Sequence, residues 1–303
     1  MSIKKIAGLD QVPPVPAMAV IISCGTKWFT SLALVSAHRT GLPILLIDCE
    51  SRDGSCDLLA AIGERYGIDF HWMSWPLRTH GLTLDALFEH SPAERILLVD
   101  SDVEIEDPAV VQRMIDEMDR RPEAYGAGFV HAAEGMGSQH GVPAGIGLYA
   151  ERMWIPLTLL RTQAVRAALE SGASFAQTRR FTEMPGHPRL SRWMGMRFFL
   201  PGINRWQARR LAEDKKPIFH EYDTGALMHE TLRAQGYDFI GLPNALWQKV
   251  HHYHGATRAS FRWSRQKLAE RLGLIRKPEG SESDRDVLDA KKRLAAYGID
   301  GEA

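Results

Sequence analysis

Long apolar runs are what this 303-residue sequence most conspicuously lacks. The runs at residues 17–23, 44–47 and 96–99 fall far below the ~20 residues a bilayer-spanning helix needs, which excludes an integral membrane protein of the helical kind. Residues 1–16 carry two lysines, Lys4 and Lys5, but no apolar stretch follows them, so a secretory leader is not expected. Cysteine is scarce. Cys24, Cys49 and Cys56 are odd in number and match no zinc spacing, so reduced, partly buried thiols in a cytoplasmic protein are expected. Excess charge is missing too: Lys+Arg and Asp+Glu both number 37, which gives no reason to expect a nucleic-acid partner.

What is present is an ordinary globular composition, 45% hydrophobic and 24% charged, with chain enough for a sizeable core. The first half alternates short apolar runs with amphipathic stretches. Ala19-Val20-Ile21-Ile22, Ile44-Leu45-Leu46-Ile47, Phe70-His71-Trp72-Met73 and Ile96-Leu97-Leu98-Val99 read as strands. Helices are predicted over 30–39, 56–66 and 82–90. Continuous apolar strands followed by helices imply a parallel sheet covered on both faces. Ligands of such sheets lie at the carboxyl ends of the strands, where Asp48 and Asp100 stand.

The second half is less regular. Helices are predicted over 108–120, 157–171 and 224–235, an extended piece at 126–130, and a glycine-rich loop at 135–147. Residues 281–303 read as a terminal helix with a loose end. Residues 184–211 hold no acid, but interleave Arg189, Arg192, Arg197, Arg205, Arg209 and Arg210 with Trp193, Phe198, Phe199 and Trp206. Basic and aromatic residues together suit a membrane interface or a lipid-linked acceptor; an acceptor-side flap packed on the core is the alternative.

Asp100-Ser101-Asp102 follows its strand directly. Two carboxylates at i and i+2 can face one crevice, and hard oxygen ligands suit Mg2+ or Mn2+ shared with substrate phosphates. The plainer alternative is a polar turn at a strand end.

In this setting the chain resembles the GT-A glycosyltransferases, in particular the inverting family 2, from about residue 19 to 257. Val20-Ile21-Ile22-Ser23 is similar to the family's first strand and base-binding loop. Asp48, with Ser51-Arg52-Asp53-Gly54-Ser55, is similar to its second acid and Ser/Asp/Gly turn. Residues 78–81, with Arg78, lie where a loop over the nucleotide is expected. Asp100-Ser101-Asp102 matches the family's Asp-x-Asp. His220-Glu221-Tyr222-Asp223-Thr224 resembles the acidic motif that supplies the general base, and His251-His252-Tyr253-His254-Gly255-Ala256-Thr257 a late element that adds a metal ligand. The resemblance departs at Ser23-Cys24-Gly25-Thr26, where the family has Pro-Thr-x-Asn. The Gln-x-x-Arg-Trp motif of processive synthases is absent, since Gly202 precedes Arg205-Trp206.

The resemblance implies an α/β fold with a GT-A type, Rossmann-like mixed sheet, mostly parallel, with helices on both faces. Residues 1–125 would form a nucleotide-sugar-binding half, 126–258 an acceptor-binding and catalytic half, and 259–303 a helical tail. The implied activity is metal-dependent transfer of a hexose from a UDP- or GDP-linked donor to a glycan or lipid-linked hydroxyl, with inversion. Asp223 is the first candidate base and Glu221 the second; Asp223 also suits a helix N-cap. Ser23, Asp48, Asp53, Arg78, Asp100, Ser101 and Asp102 would bind the nucleotide-sugar, and Asp102, His252 and His254 the cation, Mn2+ or Mg2+. In an extended strand His252 and His254 share a face. A haloacid-dehalogenase-like phosphatase also carries Asp-x-Asp after a buried strand, but normally near its start. A non-catalytic nucleotide-sugar-binding protein and a nucleotidyltransferase are the remaining alternatives.

Overall fold

The computed structural model describes residues 3–76, 79–132, 151–176, 178–183, 218–222, 224–253 and 282–299. Among them an eight-stranded sheet forms the centre. In chain order its strands are β1 (Lys4–Lys5), β2 (Met18–Ser23), β3 (Ile44–Asp48), β4 (His71–Ser74), β5 (Arg95–Asp100), β7 (Ala124–Ala132), β8 (Glu151–Arg161) and β11 (Asp238–Gly241). Their spatial order is β1-β4-β3-β2-β5-β8-β7-β11. Only β8 runs against its neighbours; every other pairing in this sheet is parallel. This is the mixed, mostly parallel α/β sheet expected from the sequence.

The apolar runs explain the layers. Side chains alternate across a strand, so each run divides between two cores. Ala19, Ile21, Ile44, Leu46, Leu97 and Val99 enter one. Met18, Val20, Leu45, Ile47, Ile96 and Leu98 enter the other. The first core is closed by α1 (Lys27–His38), α2 (Ser55–Tyr66), α4 (Ala109–Arg120) and α7 (Glu282–Ala296). The second is closed by α3 (His80–His90), α5 (Thr162–Glu170) and α6 (Ala226–Ala234). Gly81 permits one close approach: a Cβ there would lie 2.5 Å from the Ala176 Cα.

Residues 157–161 correct an expectation. Their leucines favour a helix by propensity, yet they form the end of β8, and the helix begins only at Thr162. The segment lies between β5 and β7 and pairs with both. That pairing satisfies its backbone on both edges, and Leu157, Leu159 and Leu160 are buried. Tertiary context overrides local preference. Pro156, which has no ladder donor, sits where the register breaks. Thr158 faces Gly128, whereas Met153 faces Val130, so β8 uses five steps against two.

Two short ladders stand apart from the main sheet. β9 (Thr178–Glu183) pairs with β10 (Ile218–Tyr222), and β6 (Val103–Ile105) pairs with β12 (Val250–His252), both antiparallel. The terminal helix α7 is docked: Ala290, Leu294 and Ile299 are buried in the first core. Residues 135–147 and 184–211 lie outside the described residues.

Candidate active site

Register brings the polar strand ends into line. Ser23 pairs with Asp48 and Asp48 with Ser74, while Asp100 pairs with Ile22. Asp48 and Asp100 therefore stand at one carboxyl edge with β2 between them. At about 4.8 Å per strand, their backbones are about 10 Å apart.

After β5 the chain turns through Ser101 and Asp102 into β6. There β12 lies alongside, with His252 opposite Val103 and the Tyr253 N–H donating to the Asp102 carbonyl at 2.9 Å. This ladder carries His252 to the acid pair. Its Nε2 is 3.5 Å from Asp102 Oδ1, with both side chains largely buried. The Trp154 ring, at the β8 register break, packs edge-on against His252 with centroids 5.0 Å apart. On the other side, His80 Nε2 at the start of α3 is 3.5 Å from Asp100 Oδ1. Burial pushes the Asp100 carboxyl above its ordinary value, His80 opposes that, and the negative Asp102 adds to it. His80 is a site residue that motif reading did not single out. The signal was its position in the loop beside Arg78 at the head of a predicted helix.

The second acid has a different setting. Asp48 is buried, and its Oδ2 accepts the Ser51 N–H at 3.3 Å. Its Oδ1 is buried and accepts no N–H or O–H from a described residue. The Ser51 hydroxyl accepts the Gly25 N–H at 2.9 Å, joining the two loops after β2 and β3. All three thiols are free. Burial raises each of them, Cys49 and Cys56 to about 11, and the negative charge of Asp48 contributes in all three cases.

Two predicted binding residues are engaged within the protein. The Ser23 hydroxyl is buried and hydrogen-bonded to Thr30 at 2.9 Å, beneath α1 rather than facing the crevice. Asp53 joins two helix starts: Oδ2 accepts the Lys27 N–H at 2.9 Å, and Oδ1 accepts the Ser55 N–H and hydroxyl. An acid there also complements the positive ends of both helices. Ser101 is buried in the turn between the two site acids. Glu221 lies on β10 with its backbone opposite Arg179. Arg78, Asp223 and His254 lie outside the described residues.

The Asp102–His252 separation can be tested against a cation. At ~2.1 Å from each ligand and a ligand–metal–ligand angle of ~90–110°, two ligand atoms lie about 3.0–3.5 Å apart. The observed 3.5 Å fits. Among the described residues no group of three His, Cys, Asp or Glu converges in this way. Asp102 and His252 could thus supply two ligands of a cation whose other positions fell to water or phosphate oxygens.

The architecture and the site together define a mixed α/β protein with acids gathered at the carboxyl edge of its parallel strands. No family model and no curated protein matches the chain. Among solved structures it is similar to the mannosyltransferase PcManGT from Pyrobaculum calidifontis in complex with GDP-Man and Mn2+. That match has 12% identity and a TM-score of 0.47, and covers 95% of this chain and 76% of the other. It is also similar to the 4-diphosphocytidyl-2C-methyl-D-erythritol synthase of Anaerococcus prevotii, with 13% identity, a TM-score of 0.39, and 52% and 75% coverage. A third structure, S. aureus TarS 1-349 with UDP-GlcNAc, has 15% identity and a TM-score of 0.36, and covers 50% of this chain and 46% of the other. All three TM-scores lie below 0.5, so the fold assignment rests on the strand order and directions themselves.

Proposed function

We propose that this protein is a metal-dependent glycosyltransferase of the GT-A, family 2-like kind. It would move a hexose from a UDP- or GDP-linked donor to a hydroxyl of a glycan or lipid-linked acceptor, with inversion. One observation carries the reading. Asp102 and His252 stand at cation-ligand separation on the strand edge that also holds Asp48 and Asp100.

Each residue has a task in that reading. Asp102 and His252, with His254, would hold Mn2+ or Mg2+, which would supply Lewis-acid neutralisation of charge on the leaving diphosphate. Asp48, with a buried oxygen that no N–H or O–H among the described residues satisfies, suits a donor group on the nucleobase edge, because a buried acceptor left unsatisfied is costly. Asp100 and His80 flank the donor from the α3 side. The acceptor oxygen bonds to the anomeric carbon as that carbon's bond to the diphosphate oxygen breaks, and the electron pair departs with the diphosphate. The acceptor proton passes to a carboxylate, Asp223 first and Glu221 second. A positioned base of this kind contributes ~10²–10⁴-fold. Ser23 and Asp53 serve indirectly, by shaping the loops, and Arg78 would offset phosphate charge. We also take the chain as cytoplasmic, on its three free thiols. Residues 184–211 would touch a lipid surface peripherally, which liposome flotation would detect. Among the described residues, no helix is long and apolar enough to cross a membrane.

The test is a screen of nucleotide sugars for hydrolysis with Mn2+ and with EDTA. Turnover of at least one donor is expected with Mn2+ and background with EDTA. Asp102→Asn should lower turnover at least ~100-fold, the order lost when one stabiliser of developing charge is removed. A chain that ignores every donor and every divalent ion would overturn the reading.

A further inference from the structure

We infer that the helix α7 and the turn after it are a positioning element for the cation ligands, acting through Asp289 and Arg293 of the helix and Tyr297 of the turn; this rests on the reading of Asp102 and His252 given above. Asp102 and His252 come from segments about 150 residues apart in sequence, joined by the three-residue ladder of β6 and β12 and by the Glu106 and Asp107 N–H groups donating to the Lys249 carbonyl. Two short antiparallel strands are marginal on their own, and this ladder is not part of the main sheet.

α7 grips both strands, each within two residues of a ligand. On the β6 side, Glu104 is buried and both of its oxygens are taken. Oε1 accepts the Tyr297 hydroxyl at 2.7 Å, and Oε2 accepts Arg293 Nη1 at 2.9 Å. Arg293 Nη1 also reaches Glu106 at 2.6 Å. On the β12 side, Tyr253 donates its hydroxyl to Asp289 Oδ2 at 2.7 Å, and Arg293 Nε donates to the same oxygen at 3.0 Å. One guanidinium therefore ties Glu104, two residues beyond Asp102, to the acceptor of Tyr253, the residue after His252. The Tyr253 backbone N–H closes the circuit on the Asp102 carbonyl. Because Glu104 is buried, its pairing is charge-assisted in poorly solvated surroundings, where such bonds are strong and directional. None of these groups touches the proposed cation; they fix the spacing of the two that do.

Mn2+ binding to the full-length chain, followed by electron paramagnetic resonance of the free ion, tests this without catalysis. Arg293→Met is expected to weaken Mn2+ binding at least ~10-fold, the lower end for groups that orient ligands. Arg293→Lys should recover part of that loss, since it keeps the charge but not the fork. Met118→Ala is the control: Met118 is buried in the last turn of α4, where its carbonyl accepts Arg161, the residue paired with the start of β5 and so at the opposite end of that strand from Asp100; its loss lowers melting temperature and should leave Mn2+ affinity within threefold of wild type. If Arg293→Met does not fold, Tyr253→Phe removes one hydroxyl and should weaken binding in the same direction. Wild-type affinity in a folded Arg293→Met or Tyr253→Phe protein, or an equal loss in Met118→Ala, would overturn the inference while the proposed function stood. A wild-type chain that binds no Mn2+ would overturn both, and would show it in the wild-type arm alone.

Discussion

Burial and neighbouring charge act on Asp100 in opposite directions. Desolvation and the negative Asp102 raise its carboxyl above the ordinary value, while His80 and His252 lower it. With the folded-state value raised, the native protein holds the Asp100 proton more tightly than the unfolded chain does. Its contribution to stability is then fully present below the unfolded value and is lost as pH rises through the folded one. Above the folded value the carboxylate ionises in buried surroundings, which is a net cost to the fold. Asp100→Asn is therefore expected to reduce the fall of melting temperature with rising pH in the ligand-free protein while lowering donor turnover, a trade common at functional sites. Gly81 is the opposite case, a residue chosen for packing. The Ala176 backbone, 2.5 Å from where a Cβ at Gly81 would lie, cannot swing aside as a side chain would. Gly81→Ala should cost about 1–3 kcal/mol in urea denaturation, the usual range for overpacking.

At the level of elements, the ladder of β6 and β12 matters more than its length suggests, because α7 supports it. Asp289 on α7 is held below the ordinary carboxylate range: burial pushes it up, but the hydrogen bonds from Tyr253 and Arg293 outweigh that. A depressed carboxyl contributes stability above its unfolded value and loses it as pH falls through the folded one. The α7 contacts should thus loosen below about pH 4, ahead of the main sheet. Amide hydrogen exchange compared at pH 6 and pH 3.5 should show protection of residues 282–296 falling first. Equal loss across β2, β3 and β5 would count against this. The Pro156 break in β8 is a second device of the same kind. It removes a ladder donor in a buried strand and brings Trp154 against His252.

Over the whole molecule, a ligand that binds only the folded state must raise its apparent stability. A cognate nucleotide sugar with Mn2+ at 100-fold its dissociation constant adds about 2.7 kcal/mol, which corresponds to a shift on the order of 5 °C for a chain of this size. Thermal melts with and without Mn2+ would measure it, and Asp102→Asn should remove the metal-dependent part. The sequence by itself determined the alternating apolar runs, and with them the parallel strands, the two covered faces and the placing of Asp48 and Asp100 at strand ends. Those features follow from local periodicity, which any stretch of chain carries within itself. It also contained Asp102 and His252, though only by resemblance. Tertiary structure alone decided that residues 157–161 are strand, because pairing on two edges outweighs the helix preference of leucine. It alone turned the Ser23 hydroxyl inward, tied Asp53 to two helix starts, brought His80 to Asp100, and docked α7 against the β6–β12 ladder. Those outcomes depend on contacts between residues far apart in the chain, and no local pattern encodes which distant partner a side chain will meet.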